Sequence, residues 1–430
     1  MSAQAPFFSG QDAPAEADIW RCVHCGLCLQ SCPTYVQTGL ETESPRGRIS
    51  IMKAVHERRT GLTETATAHL ELCLQCRACE AVCPSGVPFG RMMEATRAQI
   101  AAKTKRAFVE RVGRKLAFRV LLPRPRLMRA MGYCLKLYQR TGLQWLVRQL
   151  RLLKPFGPLD RMDQQLPMLP KFYSPPRGEV VPALGAKKRL VAMLNGCVMP
   201  LTYGPVNEAT ARVLAHNGCE VVVPRRQGCC GALSAHGGER EAARALARKN
   251  IDVLLATGAE AVIVNSAGCG SAMKEYGDLL KDDSAYREKA ERFGKMVKDA
   301  NEFLAGLPLA PGKRAIEARV TYQDSCHLAH AQRIKDAPRA VLRAIPGLKL
   351  IEMQNADMCC GAAGVYNIVQ PEMSSRLLEH KMEHVAAAQP AIIATANPGC
   401  MLQLQRGVER NGMRARVAHV VELLDESYRD

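Results

Sequence analysis

The sequence predicts a multidomain chain: an α-helical domain carrying two cysteine clusters, then a basic helical segment, then two repeated α/β cysteine-rich domains. Three observations predict it. Two stretches near the start, CVHCGLCLQSCP from Cys22 to Pro33 and CLQCRACEAVCP from Cys73 to Pro84, share the spacing C-x2-C-x2-C-x3-C-P. Between Lys103 and Lys154 stand 15 basic residues against one acid, Glu110. Farther on, Cys197, Cys229-Cys230 and Cys269 are echoed at a nearly constant offset by Cys326, Cys359-Cys360 and Cys400. The domains expected on this basis run over residues 1–100, 101–186, 187–312 and 313–430.

The front spacing is that by which bacterial ferredoxins hold iron-sulfur clusters through cysteine thiolates. Cysteines at i, i+3 and i+6 wrap one corner of a cubane, while the fourth, next to a chain-turning proline, serves the other cluster. One [4Fe-4S] cluster therefore takes Cys22, Cys25, Cys28 and Cys83, and the second takes Cys73, Cys76, Cys79 and Cys32. Zinc also favours thiolates, but it needs four ligands from two knuckles and gives no reason for a third cysteine or for Cys-Pro. The 40 residues from Pro33 to Leu72 are too many for a hairpin connection. Ser44 followed by Pro45 reads as a helix start, with Ile49, Ile51, Met52 and Val55 on a shared face, and a second helix from Glu64 to Leu72 delivers Cys73. A helical ferredoxin domain follows from these helices. Arg21 and Arg77 are placed to set positive charge near the clusters, whereas His24, His56 and His69 read as surface or packing residues.

Residues 1–18 read as a loose polar tail. From Ala101 to Leu153 the pattern is helical and cationic. Phe108, Val112, Leu116 and Val120 recur at i+4, and Leu143, Leu146, Val147, Leu150 and Leu153 repeat the arrangement after a break at Pro123 and Pro125. Such a surface suits solvent, an acidic partner or anionic lipid. Nucleic acid is not expected, because no zinc finger or aromatic reader motif accompanies the charge. Seven prolines between Pro155 and Pro182 predict a linker or strap.

The period of the rear cysteines is too long for a solenoid repeat and means two copies of one domain. In each, a strand (Leu190–Leu194 or Arg319–Tyr322) leads toward a cysteine, a helix follows, and a second strand (Val221–Val223 or Leu348–Ile351) precedes the Cys-Cys-Gly loop. A further helix and strand lead to the last cysteine. This alternation predicts parallel βαβ units with the cysteines at the carboxyl ends of strands, where such sheets bind ligands. Gly231 and Gly361 free the turn that brings adjacent sulfurs together. Cys197, Cys229, Cys230 and Cys269, and likewise Cys326, Cys359, Cys360 and Cys400, are candidate ligands for a further iron-sulfur cluster or zinc. His236, Asp324, His327, His330 and Tyr366 are candidate pocket residues, with Asp324 placed to orient His327. Cys134 and Cys219 read as core thiols.

A content of 47% hydrophobic and 23% charged residues is that of a globular protein, and the net charge is +18. No signal-peptide pattern and no run of 18 apolar residues occurs, so the 18 cysteines are expected to meet a reducing cytosol. The chain has no G-x-G-x-x-G fingerprint for flavin or nicotinamide, and no catalytic residue is assigned to it.

The paired front motifs followed by two Cys-Cys-Gly domains resemble the iron-sulfur subunits of membrane-associated dehydrogenases and heterodisulfide reductases. More narrowly, VNEATARVLAHNG, GCCGALSAHGGE, NSAGCGSAMKEYGDLLKDD, CHLAHAQR and CCGAAGVYN resemble the glycolate oxidase iron-sulfur subunits. The resemblance implies an electron-transfer subunit, inactive alone, that partners an FAD-binding catalytic subunit oxidising glycolate to glyoxylate and a second flavin-type subunit. It implies a membrane or quinone acceptor and a cytoplasmic location, peripheral on the inner face of the membrane. Equivalent subunits for glycerol-3-phosphate or lactate, a heterodisulfide reductase-like catalytic subunit, and a zinc-stabilised scaffold are the alternatives. The fuller Cys-Cys-Gly pattern ends each unit in C-x2-C, but Ala272 and Gln403 stand at those last positions here.

Overall fold

The computed structural model describes residues 6–164, 166, 168–169 and 179–429. Pro167, Pro170, Pro175 and Pro176 of the expected strap lie outside the described residues.

Helix Pro45–His56 starts where the sequence predicts, with the Ser44 hydroxyl accepting a hydrogen bond from the Gly47 N–H at 3.0 Å. Its Ile49, Met52 and Val55 are buried against Leu70, Met92, Met93 and Ile100, each worth about 1.5–3 kcal/mol of apolar burial. Gly47 cannot be replaced without moving backbone, because a Cβ there would lie 1.9 Å from the Glu41 carbonyl oxygen. Thr63 caps helix Glu64–Glu71, and the long helix Phe89–Lys103 completes the front core. The described part of the N-terminal tail is anchored, not loose. Asp12 pairs with Arg240 at 2.8 Å and with Arg244, and Asp18 pairs with Arg91 at 2.6 Å. Isolated acids in a polar stretch gave no sign of buried arginines in a helix so distant along the chain.

The basic segment forms helices Phe108–Arg114, Pro125–Arg140 and Leu143–Gln149, with a wide π turn over Lys115–Leu121. Its apolar residues divide: Phe118, Leu122 and Met128 are buried, but Phe108, Val112, Leu116, Leu137, Trp145 and Leu150 remain exposed. Cys134, expected in the core, is exposed as well, because its helix turns part of its apolar stripe away from the protein. The start of the expected strap is a helix, Pro158–Gln164, whose Asp163 accepts hydrogen bonds from Arg148 at 2.7 Å and Gln144 at 3.1 Å. Pro158 sits in the first turn, the one helical site proline favours.

Behind this lie two sheets. Strands β1 (Val180–Val181), β2 (Arg189–Met193), β3 (Cys219–Val222), β4 (Ala261–Val264) and β5 (Val297–Asp299) form a sheet in the order β1-β3-β2-β4-β5. All its pairs are parallel except β1 with β3. Strands β6 (Ala318–Tyr322), β7 (Leu348–Leu350), β8 (Ile392–Thr395) and β9 (Arg416–His419) form an all-parallel sheet in the order β7-β6-β8-β9. The central strands β4 and β8 are buried throughout, as helices on both faces require. The sequence reading missed β1, β5 and β9, which are short and lie at edges. The units share one core, in which Val206 and Val213 of the first join Val320, Val421 and Leu424 of the second.

His419 ties the two units together. Fully buried, it donates from Nε2 to the Asn265 carbonyl at 3.0 Å and accepts at Nδ1 from the Val421 N–H at 3.2 Å, capping the last helix. Burial pushes its imidazole down to about 4. The unfolded chain protonates this histidine near its ordinary value, so the stability it contributes is present above about pH 6.5 and lost as pH falls toward about 4. Urea unfolding of the wild type against His419→Asn, which keeps a capping oxygen, should show the wild type losing about 3 kcal/mol more than the variant over that window. Equal pH slopes would refute the assignment.

Candidate iron-sulfur centres

Cys32, Cys73, Cys76 and Cys79 line one cavity together with Arg48, Arg77 and Phe89. These are the four thiols of the crossed second set, and Cys32 reaches the cavity from the other motif. Burial drives the thiols of Cys76 and Cys79 far above the ordinary range, so bare thiolates there would be costly. Four soft donors gathered around one cavity fit a cationic iron core. The loop that wraps the cavity holds Gln75 at φ 55° and Arg77 at φ 62°, left-handed conformations that cost a non-glycine residue about 1 kcal/mol or more. The Gln75 N–H points at Cys73 Sγ, 3.3 Å away, while both polar atoms of its buried side chain lack a partner.

Positive charge comes from residues the sequence reading missed. Arg48, fully buried, pairs with Glu43 at 2.6 Å, donates to the Glu43 carbonyl at 2.7 Å, to Thr34 at 3.1 Å and to the His69 carbonyl at 2.8 Å, and lies 3.9 Å from Cys32 Sγ. Arg97 donates to the carbonyls of Cys73 at 2.5 Å and Glu71 at 3.1 Å. Arg77 lines the cavity as expected, but Glu80 at 2.8 Å and Glu275 at 2.5 Å answer its charge. Arg21 reaches only toward the Gly86 carbonyl, at 3.5 Å. One signal did exist: Arg48, Met52 and Val55 follow i, i+4, i+7, so Arg48 shares the buried face, while Arg46, two residues away, reaches the His24 carbonyl in the loop of the first motif at 3.0 Å. His69 takes a structural part, its Nδ1 2.5 Å from Glu43.

Around the first set, the Cys22 thiol is raised by burial and by its neighbours Cys83 and Cys25, and the Cys28 thiol is pushed up to about 11 by burial and by Cys22 and Cys32. Cys83 of the second motif thus lies near Cys22 of the first. Cys25 is exposed, beside exposed Val23 and Leu27.

Both rear groups lie past the carboxyl ends of their strands. In the first, Cys197 Sγ is 3.4 Å from Cys229 Sγ, and Cys230 contacts both Cys229 and Cys269. In the second, Cys359 contacts Cys326 and Cys360, and Cys360 contacts Cys400. Each group is a row of four thiols. Among the described residues, no three His, Cys, Asp or Glu side chains converge as a single metal ion would require. A cubane binds each thiolate at a separate iron, so it asks for a different arrangement. Gly231 and Gly361 turn the loops at φ 84° and 85°, and a Cβ on Gly361 would lie 2.7 Å from the Ser374 carbonyl oxygen. Gln403, where a fifth cysteine could stand, is buried and donates to Ser374 at 3.0 Å.

His327 is held by the Gln75 carbonyl at 2.9 Å, with the His236 ring edge-on at 5.2 Å. Burial, His236 and Arg77 push it down to about 3, so it is neutral at physiological pH. His236 lies 2.8 Å from Glu94, Tyr366 donates to the Leu72 carbonyl at 2.8 Å, and His330 meets the Asp357 carbonyl at 2.9 Å. Asp324 does not orient His327; it forms a two-toothed pair with Arg339 at 2.8 and 2.9 Å, a stronger partner for a buried carboxylate.

Three family models match the chain. Residues 18–87 match a 4Fe-4S dicluster domain, residues 109–166 the linker region of the glycolate oxidase iron-sulfur subunit, and residues 191–274 and 320–405 a cysteine-rich domain. A probable glycolate oxidase iron-sulfur subunit of Bacillus subtilis is 43% identical over 96% of this chain and 94% of its own length. The glycolate oxidase iron-sulfur subunit of Escherichia coli is 34% identical over 96% of this chain and 95% of its own. Lactate utilization protein A of Shouchella clausii is 28% identical over 55% of this chain and 98% of its own.

Proposed function

The chain belongs to the glycolate oxidase iron-sulfur subunit family, and on that premise we propose that it is the electron-carrying subunit of a complex that oxidises glycolate to glyoxylate. Its partners in this reading are an FAD-binding catalytic subunit and a second flavin-type subunit, with a quinone or similar acceptor at the inner face of the cytoplasmic membrane. Cys22, Cys25, Cys28 and Cys83 hold one [4Fe-4S] cluster, and Cys73, Cys76, Cys79 and Cys32 hold the other. When bound, such clusters supply one-electron carriers. The observation that carries the reading is the enclosed cavity in which Cys32 joins Cys73, Cys76 and Cys79.

The chain's own residues perform identifiable tasks. Arg48 and Arg97 set buried positive charge beside the inner thiolates, which favours the more negative, reduced state of whatever they hold. The left-handed loop at Gln75 and Arg77 wraps the cavity that the thiols line. Exposed Cys25, with Val23 and Leu27, presents the outer site to a donor. Among the described residues no helix is long and apolar enough to cross a membrane. The exposed Phe108, Leu116, Leu137, Trp145 and Leu150, set among arginines, suit contact with an anionic lipid surface.

The test uses the complex purified anaerobically with its partner subunits. Glycolate should bleach the brown iron-sulfur absorption, the isolated chain should not respond, and reoxidation should require vesicles of anionic lipid containing quinone, with high salt releasing the complex from them. A second reading, lactate as substrate, has the partial relatives in its favour. Bleaching by lactate or glycerol-3-phosphate and not by glycolate would overturn the substrate assignment.

A further inference from the structure

The two front motifs are alike in backbone and unlike in what covers them. His24 and Gln75 hold the same place in their motifs, and so do Gly26 and Arg77. Their φ values, 54° and 55° for the first pair and 87° and 62° for the second, put left-handed turns at the same two points of both loops. Matching side chains therefore leave the two loops on matching faces. In the second motif that face is covered by the C-terminal unit: Leu74, Cys76 and Ala78 pack with Cys359, Tyr366 and Leu377, and the Gln75 carbonyl meets His327 Nε2 at 2.9 Å. In the first motif the same face is bare. Val23 is 69% exposed where Leu74 is 6%, and Leu27 is 62% exposed where Ala78 is 6%. Cys25 is exposed where Cys76 is buried.

The bare face extends past the loop to Trp20 and Val82, which are also exposed. Among the described residues up to Lys103, six large apolar side chains are exposed, and these four stand within two residues of Cys22, Cys28 or Cys83. Charges of both signs border them. Lys53 lies over the Trp20 ring at 3.5 Å, and Arg46, which reaches the His24 carbonyl, pairs with Glu41 at 2.6 Å. An apolar centre inside a mixed polar rim is the make-up of a protein–protein interface. The basic segment, whose only acid between Lys103 and Lys154 is Glu110, has the different make-up of a lipid-facing surface.

We infer that Trp20, Val23, Leu27 and Val82, around Cys25, form the docking face for the electron-donating flavoprotein subunit, which covers the first loop as the C-terminal unit covers the second. The inference rests on the electron-carrying reading above and adds the place of contact. The partner presents an apolar patch to the loop and brings its flavin toward Cys25, because electron tunnelling falls off steeply with distance. Electrons leave the reduced flavin one at a time, its protons pass to water, and the oxidised flavin stays on the partner. The chain's own C-terminal unit is already engaged with the second loop.

Val23→Glu and Leu27→Glu place a charge on this face without replacing a thiol. In complexes assembled from the anaerobically purified full-length chain and its partner subunits, both variants should keep the wild-type iron content and EPR signals after dithionite reduction. Their affinity for the flavoprotein subunit should fall about tenfold or more, and bleaching by glycolate should slow with it. Leu27→Ser, which removes the apolar contact and adds no charge, should weaken association in the same direction, and it decides the matter if a charged variant loses iron. Leu184→Glu, at an exposed apolar residue outside the front domain, should change nothing. Wild-type affinity in the face variants would overturn the inference. So would a wild-type chain whose dimers, seen by sedimentation, vanish in Leu27→Glu, since the face would then bind a second copy. Loss of binding to anionic vesicles with flavoprotein affinity intact would overturn it as well, in favour of lipid. A wild-type complex that holds the flavoprotein subunit but ignores glycolate would remove the substrate assignment and leave the docking face standing.

Discussion

Replacing Cys32 with serine is expected to abolish the same EPR signal as replacing Cys76, and to leave the signal that depends on Cys25. About four irons per chain should go, the largest loss any single ligand change can cause in the front domain. The expectation follows from position: Cys32 belongs by sequence to the first motif, yet it lines the cavity of Cys73, Cys76 and Cys79. Cys83→Ser should show the converse and silence the signal that depends on Cys25, since Cys83 lies among the neighbours of Cys22. Iron analysis with EPR after dithionite reduction reads both variants. If Cys32→Ser removed the Cys25-dependent signal, each motif would ligate its own cluster and the crossing would be wrong.

The second large effect is expected at Arg48. Arg48→Met leaves Glu43 buried with only His69 opposite it, and breaking a buried pair by removing one partner costs about 3–5 kcal/mol. It also removes the cation 3.9 Å from Cys32 Sγ, so the midpoint potential of the inner cluster should fall while that of the outer one holds. The two consequences can be told apart. Arg48→Met combined with Glu43→Met removes both charges together and should recover much of the thermal stability, because well-packed apolar replacements of a buried pair are often neutral. The lowered potential should persist in the double variant. An unchanged potential in both would mean that Arg48 is only a brace. Arg48→Lys is not a mild control, since a lysine cannot reproduce four directed hydrogen bonds from one planar group.

Whatever repeats or keeps fixed spacing was legible in the sequence. The helix at Pro45 was announced by its serine cap, strands β2, β3, β4, β6, β7 and β8 by their apolar runs, and the duplication by its cysteines. What stayed hidden depends on chain segments meeting that carry no mutual mark. Arg97 reaches the Cys73 carbonyl from a helix whose local pattern shows only an amphipathic face. Asp12 finds Arg240 and Arg244 across more than half the chain, and Asp324 prefers Arg339 to the histidine beside it in sequence. Cys134 was misplaced for the opposite reason: apolar neighbours in sequence predict burial only when their helix turns that face inward, and this one leaves Leu137 in solvent.

The inner cavity is roofed by residues of the C-terminal unit. Leu74, Cys76 and Ala78 lie beneath Cys359, Tyr366 and Leu377, and Arg333 clamps the neighbouring turn through the carbonyls of Ala81 and Glu80. In the proposed reading, iron enters the inner site before the C-terminal unit docks over it. Because domains fold from the N-terminus as the chain emerges, translation itself provides that interval. The length of polypeptide between Cys83 and Cys326 then acts as a clock for maturation.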